Sequence, residues 1–189
     1  NPGTIPWTAN GEPVCTAALD QVNAVLVDDG SGGAILAWED NRGGVGGDIY
    51  ARRINNSGVA VWTADGNAVC TVSGNQTKPS IVGDGAGGVI VAWTDARVTN
   101  PGVYAQRADS GGTMAWTVGG EAICIFAGGV SNANIVPDGA GKFIIAWNDI
   151  RNGNPDIFCQ KIDPATPTLM WPAAGVAAPT GAMYLAGKL

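Results

Sequence analysis

Asp84-Gly85-Ala86-Gly87-Gly88-Val89-Ile90-Val91-Ala92-Trp93-Thr94-Asp95-Ala96-Arg97 occurs three times in the chain with modest changes; the first copy runs from Asp29 to Arg42 and the third from Asp138 to Arg151. Each copy joins an Asp-Gly turn to an apolar run ending in Ala-Trp, then sets an Asp two residues and an Arg four residues beyond the tryptophan. The glycines supply the positive φ angles that a tight hairpin turn demands. The run itself is short, continuous and apolar, which reads as a strand covered on both faces.

The tryptophans measure the repeat. Trp7, Trp62, Trp116 and Trp171 are spaced by 55, 54 and 55 residues, Trp38, Trp93 and Trp147 by 55 and 54, and together these are all seven. A period near 54 exceeds the helical solenoid repeats and approaches that of propeller blades. Working outward from the quoted run, four strands are expected per unit. In the first they are 22–27, 34–39, 48–54 and 59–63. In the second they are 79–82, 89–94, 103–108 and 113–117, and in the third 134–136, 143–148, 156–162 and 169–171. Gly and Pro interrupt every window long enough for a helix. The second strand of each unit is the most apolar, and the third carries charges such as Arg52 and Arg53.

That gradient describes an all-β fold of β-propeller-type, four-stranded antiparallel blades. The chain reads as one repeat domain over 1–189. It divides into an orphan outer-strand segment (1–21), three units (22–71, 72–125, 126–180) and a divergent tail (181–189). Propellers close with four to eight blades, so about three blades and an extra outer strand make an incomplete ring. Further repeats of a longer protein, or other copies of this chain, are expected to complete it.

Composition narrows the chemistry. With 10 basic and 16 acidic residues the formal net charge is −6, which gives no electrostatic footprint for nucleic acid. No apolar run is long enough to span a membrane. The chain has no histidine, so the commonest general base and transition-metal ligand are missing. No Cys-x-x-Cys pair suggests zinc or redox chemistry. Cys15, Cys70 and Cys124 occupy equivalent positions and read as small buried hydrophobes, whereas Cys159 stands where Ala51 and Ala105 stand in the other units. The Asp28–Gly33 turn has carboxylates of a kind calcium uses, but its later copies thin to one Asp, and a plain hairpin turn is the reading. No cofactor or metal is expected.

The unit Asp-Gly-x-Gly-Gly-x-Ile-x-Ala-Trp-x-Asp-x-Arg, then Asp-Ile-Tyr-Ala-x-Arg, then Trp-Thr-Ala-x-Gly-x-x-Val-Cys-Thr, resembles a repeat of large secreted or surface-attached bacterial proteins. The resemblance covers about Trp7 to Trp171. It implies a propeller fold and an extracellular or cell-surface location, and it carries no catalytic residue. The leading expectation is therefore a non-enzymatic binding or structural module. The alternatives are a carbohydrate-binding, lectin-like propeller, with a glycan or another surface protein as partner, and a self-assembling surface or filament subunit. The candidate ligand-facing residues are Trp62, Trp116 and Trp171 at turn junctions, and the repeated pairs Asp40 and Arg42, Asp95 and Arg97, Asp149 and Arg151. Because every unit repeats those pairs, a scaffold role competes with a ligand role for each.

Overall fold

The computed structural model describes residues 7–44, 46–173 and 175–177. The divergent tail at 181–189 lies outside the described residues. Twelve strands form three antiparallel sheets and a thirteenth adds a short edge; the described residues contain no helix. Sheet 1 is β1 (Gln21–Asp28), β2 (Ala34–Asp40), β3 (Asp48–Ile54) and β4 (Asn67–Cys70), paired in that order. Sheet 2 repeats it with β5 (Gln76–Gly83), β6 (Val89–Asp95), β7 (Gly102–Ala108) and β8 (Glu121–Ile125). Sheet 3 has β9 (Val130–Pro137), β10 (Phe143–Asp149), β11 (Asp156–Asp163) and β12 (Thr168–Leu169), with β13 (Val176–Ala177) also on β11.

The hairpin joining the first two strands of each sheet is set by its aspartate. Asp29 Oδ1 accepts the backbone N–H groups of Ser31 and Gly33, both at 2.8 Å, and its other oxygen takes Arg53 at 2.9 Å. Asp84 does the same with Ala86, Gly88 and Arg107, and Asp138 with Ala140, Lys142 and Lys161. A carboxylate that closes its own turn leaves few lone pairs for calcium. Among the described residues no cluster of three or more His, Cys, Asp or Glu is placed to hold a metal.

The sheets stack face to face. Ile35, Ala37, Ile49 and Ala51 of sheet 1 meet Val89, Val91, Trp93 and Tyr104 of sheet 2. Ile90, Ala92, Val103 and Ala105 on the far face of sheet 2 meet Ile145, Trp147 and Phe158 of sheet 3. Sheet 2 is thus covered on both sides, and every residue of β6 is buried. The equivalent strand in sheet 3 alternates buried and half-buried, because among the described residues another sheet covers only one of its faces. Burying each large side chain at these joints contributes about 1.5–3 kcal/mol. The first strands converge, β1 on β5 and β5 on β9, while the outer strands β4 and β8 have no comparable approach. The three sheets therefore fan outward from a shared inner edge.

The outermost strand differs from the sequence expectation. The sequence places it at 59–63, 113–117 and 169–171. In the first two units those segments make only single bridges, Ile54 to Ala60 and Ala108 to Met114. In the third, only Leu169 of the expected segment lies in the two-residue β12. The pairing strands lie some eight residues later, at β4, β8 and β13. The cause is the tryptophan in between. The Trp62 indole N–H reaches across to Ser110 O at 3.0 Å, and Trp116 to Pro164 O at 3.1 Å. A residue turned toward the next sheet cannot continue a ladder within its own.

Candidate functional site

The repeated Asp and Arg residues belong to a buried clamp. Asp95 is fully buried; it accepts the Trp93 indole N–H at 2.8 Å, the Arg97 backbone N–H at 2.9 Å and Arg97 Nη2 at 2.6 Å. The Arg97 guanidinium lies 3.8 Å over the Tyr104 ring, reaches Gly119 O at 2.6 Å and touches Cys70 Sγ at 3.3 Å. Asp40 with Arg42, Trp38, Tyr50 and Cys15 repeats the pattern, as does Asp149 with Arg151, Trp147, Phe158 and Cys124. Asp40 and Asp149 are also fully buried. Asp95 with Arg97 and Asp149 with Arg151 bind the end of one sheet to the outer strand of the sheet before it, Asp40 with Arg42 meets the segment that precedes β1, and none of the three presents a carboxylate to solvent.

The three tryptophans divide. Trp62 and Trp116 are 5% and 9% exposed, with the indole N–H of each committed to the neighbouring sheet. Neither offers a ring for a ligand to stack on. Trp171 is half-buried. All four cysteines are free; burial pushes Cys70 up to about 11, which removes it as a nucleophile.

Electrostatics follow from the clamp. Burial pushes the Asp40, Asp95 and Asp149 carboxyls up, but the hydrogen bonds and charge of the paired arginine, together with the indole, outweigh it and hold each below the ordinary 3.8. A carboxyl depressed in the folded state adds stability above its unfolded value, and that stability is lost as pH falls through the folded value. Asp48 acts in the opposite sense, raised by burial and by the charge of Asp40. With three clamps against one such group, the melting temperature is expected to hold as pH is lowered to about 3.8 and to fall below it. A melting temperature that dropped between pH 6 and 4.5 would show that the clamps do not govern acid stability.

The inner edge carries a different set of residues. Each first strand has a bulge, and the bulged residue adopts positive φ without being glycine: Asn23 (54°), Lys78 (55°) and Asn132 (56°). A bulge re-aims the side chain out of the ladder, and all three are exposed. They are linked in an arc. Glu39 Oε1 accepts Asn23 Nδ2 at 2.9 Å and the Lys78 backbone N–H at 2.6 Å, and Lys78 Nζ donates to Asn132 Oδ1 at 2.7 Å. Glu39 is 8% exposed. Its equivalents are Thr94 and Asn148. Thr94 is as buried as Glu39, and its hydroxyl has no partner among the described residues.

The arc thus holds an ammonium and two amides on the three converging first strands, β1, β5 and β9, and one carboxylate, Glu39, on the adjoining β2. None of the three first strands carries an aromatic residue. Such a surface can bracket hydroxyl groups through planar acceptors and fixed donors. Sequence reasoning missed these four residues. The available signal was the disagreement between copies at 23, 78 and 132 and at 39, 94 and 148.

No family model matches the chain, and no curated protein matches it. Solved structures do. An N-acetylgalactosamine deacetylase from F. plautii, in complex with blood group B trisaccharide, aligns at 15% identity and a TM-score of 0.52, covering 85% of this chain and 54% of that one. An endo-arabinase from Bacteroides thetaiotaomicron VPI-5482 aligns at 14% identity and a TM-score of 0.54, covering 82% and 64%. The chain therefore spans between half and two thirds of the proteins it matches. These matches correct the leading expectation of a non-enzymatic binding or structural module, because both proteins that share the fold are carbohydrate-active enzymes. The glycan-directed alternative agrees with them better.

Proposed function

We propose that the three sheets are blades of a β-propeller and that the chain is the glycan-recognising part of a carbohydrate-active protein working outside the cell. The observation that carries this reading is the arc of Glu39, Asn23, Lys78 and Asn132 on the inner edge. The fanning of the sheets supports the propeller, since blades of a propeller surround an axis with their first strands. The shared fold of the deacetylase and the arabinase supports a sugar ligand. Recognition rests on hydrogen bonds to ring hydroxyls rather than on stacking, because the inner strands offer no aromatic platform. Glu39 is the carboxylate of the arc. Glycosidic cleavage by paired carboxylates requires a second such group, and the equivalent positions, Thr94 and Asn148, do not carry one.

A glycan array that includes arabino-oligosaccharides and blood group B trisaccharide, followed by calorimetry on the best ligand, tests the reading. A hydrogen bond to a charged group contributes about 1.5–3 kcal/mol, so Lys78→Ala is expected to weaken binding by about tenfold or more. Ser31→Ala, on a distant hairpin turn, leaves it unchanged. Absence of binding to every glycan would sink the proposal.

A further inference from the structure

The two joints between sheets are built alike, and the face of sheet 3 that no described residue covers with a further sheet carries the donor half of a third. At each joint one sheet offers an Ile-x-Ala pair from its second strand and a β-branched residue two before a small one from its third. These are Ile35, Ala37, Ile49 and Ala51 in sheet 1, and Ile90, Ala92, Val103 and Ala105 in sheet 2, all fully buried. The same register in sheet 3 reads Ile144, Ala146, Ile157 and Cys159. There Ile157 is 48% exposed, while Ile144, Ala146 and Cys159 are half-buried.

The outer part of the joint repeats as well. Trp7, Trp62 and Trp116 each donate the indole N–H to a turn carbonyl of the sheet that follows, Asn56, Ser110 and Pro164. Cys15, Cys70 and Cys124 each lie against the arginine of the following clamp. Trp171 is the next of the series, and among the described residues no carbonyl accepts from it.

We propose that this face docks one further sheet of the same repeat. That sheet would present a Val/Ile-x-Val/Ile-x-Trp strand to Ile144, Ala146 and Ile157, and its third-to-fourth-strand turn carbonyl to Trp171. The continuity of register with the two existing joints identifies the occupant. A second copy of this chain fits less well. The matching clamp on sheet 1 is already occupied: Cys15 lies on Arg42, and the Trp7 indole holds Asn56 O. A partner's Trp171 would have to displace that segment. The inference rests on the stacking of the sheets and is independent of the glycan reading.

The test is to insert residues 72–125 between Thr180 and Gly181 of the full chain and to follow alkylation of Cys159 by N-ethylmaleimide, with the Cys159 peptide resolved by mass spectrometry and Cys15 as internal reference. Docking buries Cys159 as Ala51 and Ala105 are buried, so its labelling is expected to slow at least about tenfold relative to the parent. Trp171→Ala in the extended chain is expected to recover part of the rate. Labelling at the parent's rate overturns the proposal, whether the added unit folds elsewhere or stays unstructured. A parent chain that is dimeric by mass at high concentration, with Cys159 already protected, overturns it in favour of a second copy.

Discussion

Asp95→Ala is expected to lower the unfolding free energy by about 3–5 kcal/mol, the cost of stranding one partner of a buried, hydrogen-bonded ion pair. Asp95 has no exposed surface, and its loss leaves the Arg97 guanidinium and the Trp93 indole without their acceptor at the middle of the stack. Domains of this kind are stable by only 5–15 kcal/mol, so the variant is expected to melt well below the parent. Chemical denaturation followed by tryptophan fluorescence checks this. Asp28→Ala is the control. Its carboxylate is exposed and takes only the Gly30 N–H, at 2.6 Å, so a loss within about 1 kcal/mol is expected there. Equal losses in the two variants would show that the clamp is not what holds the sheets in place.

Trp93→Ala is the second large effect, again about 3–5 kcal/mol. The ring is completely buried, stacks on Tyr104 with centroids 6.4 Å apart and fills the joint between sheets 1 and 2. Its far edge rests on Gly120, where φ is +89° and an added Cβ would stand 2.5 Å from Trp93 Cη2. Gly66 and Gly175 make the same accommodation for Trp38 and Trp147. No smaller residue refills that space without moving the backbone of the turn. Because Trp93 and Asp95 share a hydrogen bond, the double variant is expected to cost less than the sum of the singles. Trp171→Ala, by contrast, removes a half-buried ring and is expected to cost clearly less than Trp62→Ala at the equivalent position.

The repeat and the central strands were legible because tryptophan and glycine recur at fixed spacing. The second and third strands of each unit lie within one residue of where the apolar runs place them. The first strand was truncated at its start in units two and three. Lys78 and Asn132 sit there in left-handed conformation, and a bulge breaks the alternation on which strand reading depends. The outer strand was misplaced by the turned tryptophan, whose role shows only once the neighbouring sheet supplies a carbonyl. The clamp residues were visible as a motif, but whether an Asp-Arg pair faces solvent or a tyrosine ring is a question of packing. Glu39 does not stand out in the sequence, because it closes an apolar run where its counterparts are uncharged. Its pairing with Asn23 and the Lys78 backbone joins residues 16 and 39 positions apart.

The most direct test of the inner arc as a glycan surface is a titration of the isotopically labelled chain with arabino-oligosaccharides and blood group B trisaccharide, followed by backbone amide NMR shifts. The account predicts shifts concentrated at Asn23, Lys78 and Asn132, with Arg42, Arg97 and Arg151 unmoved. Shifts centred on those arginine clamps, or none at any residue with either sugar, would contradict it.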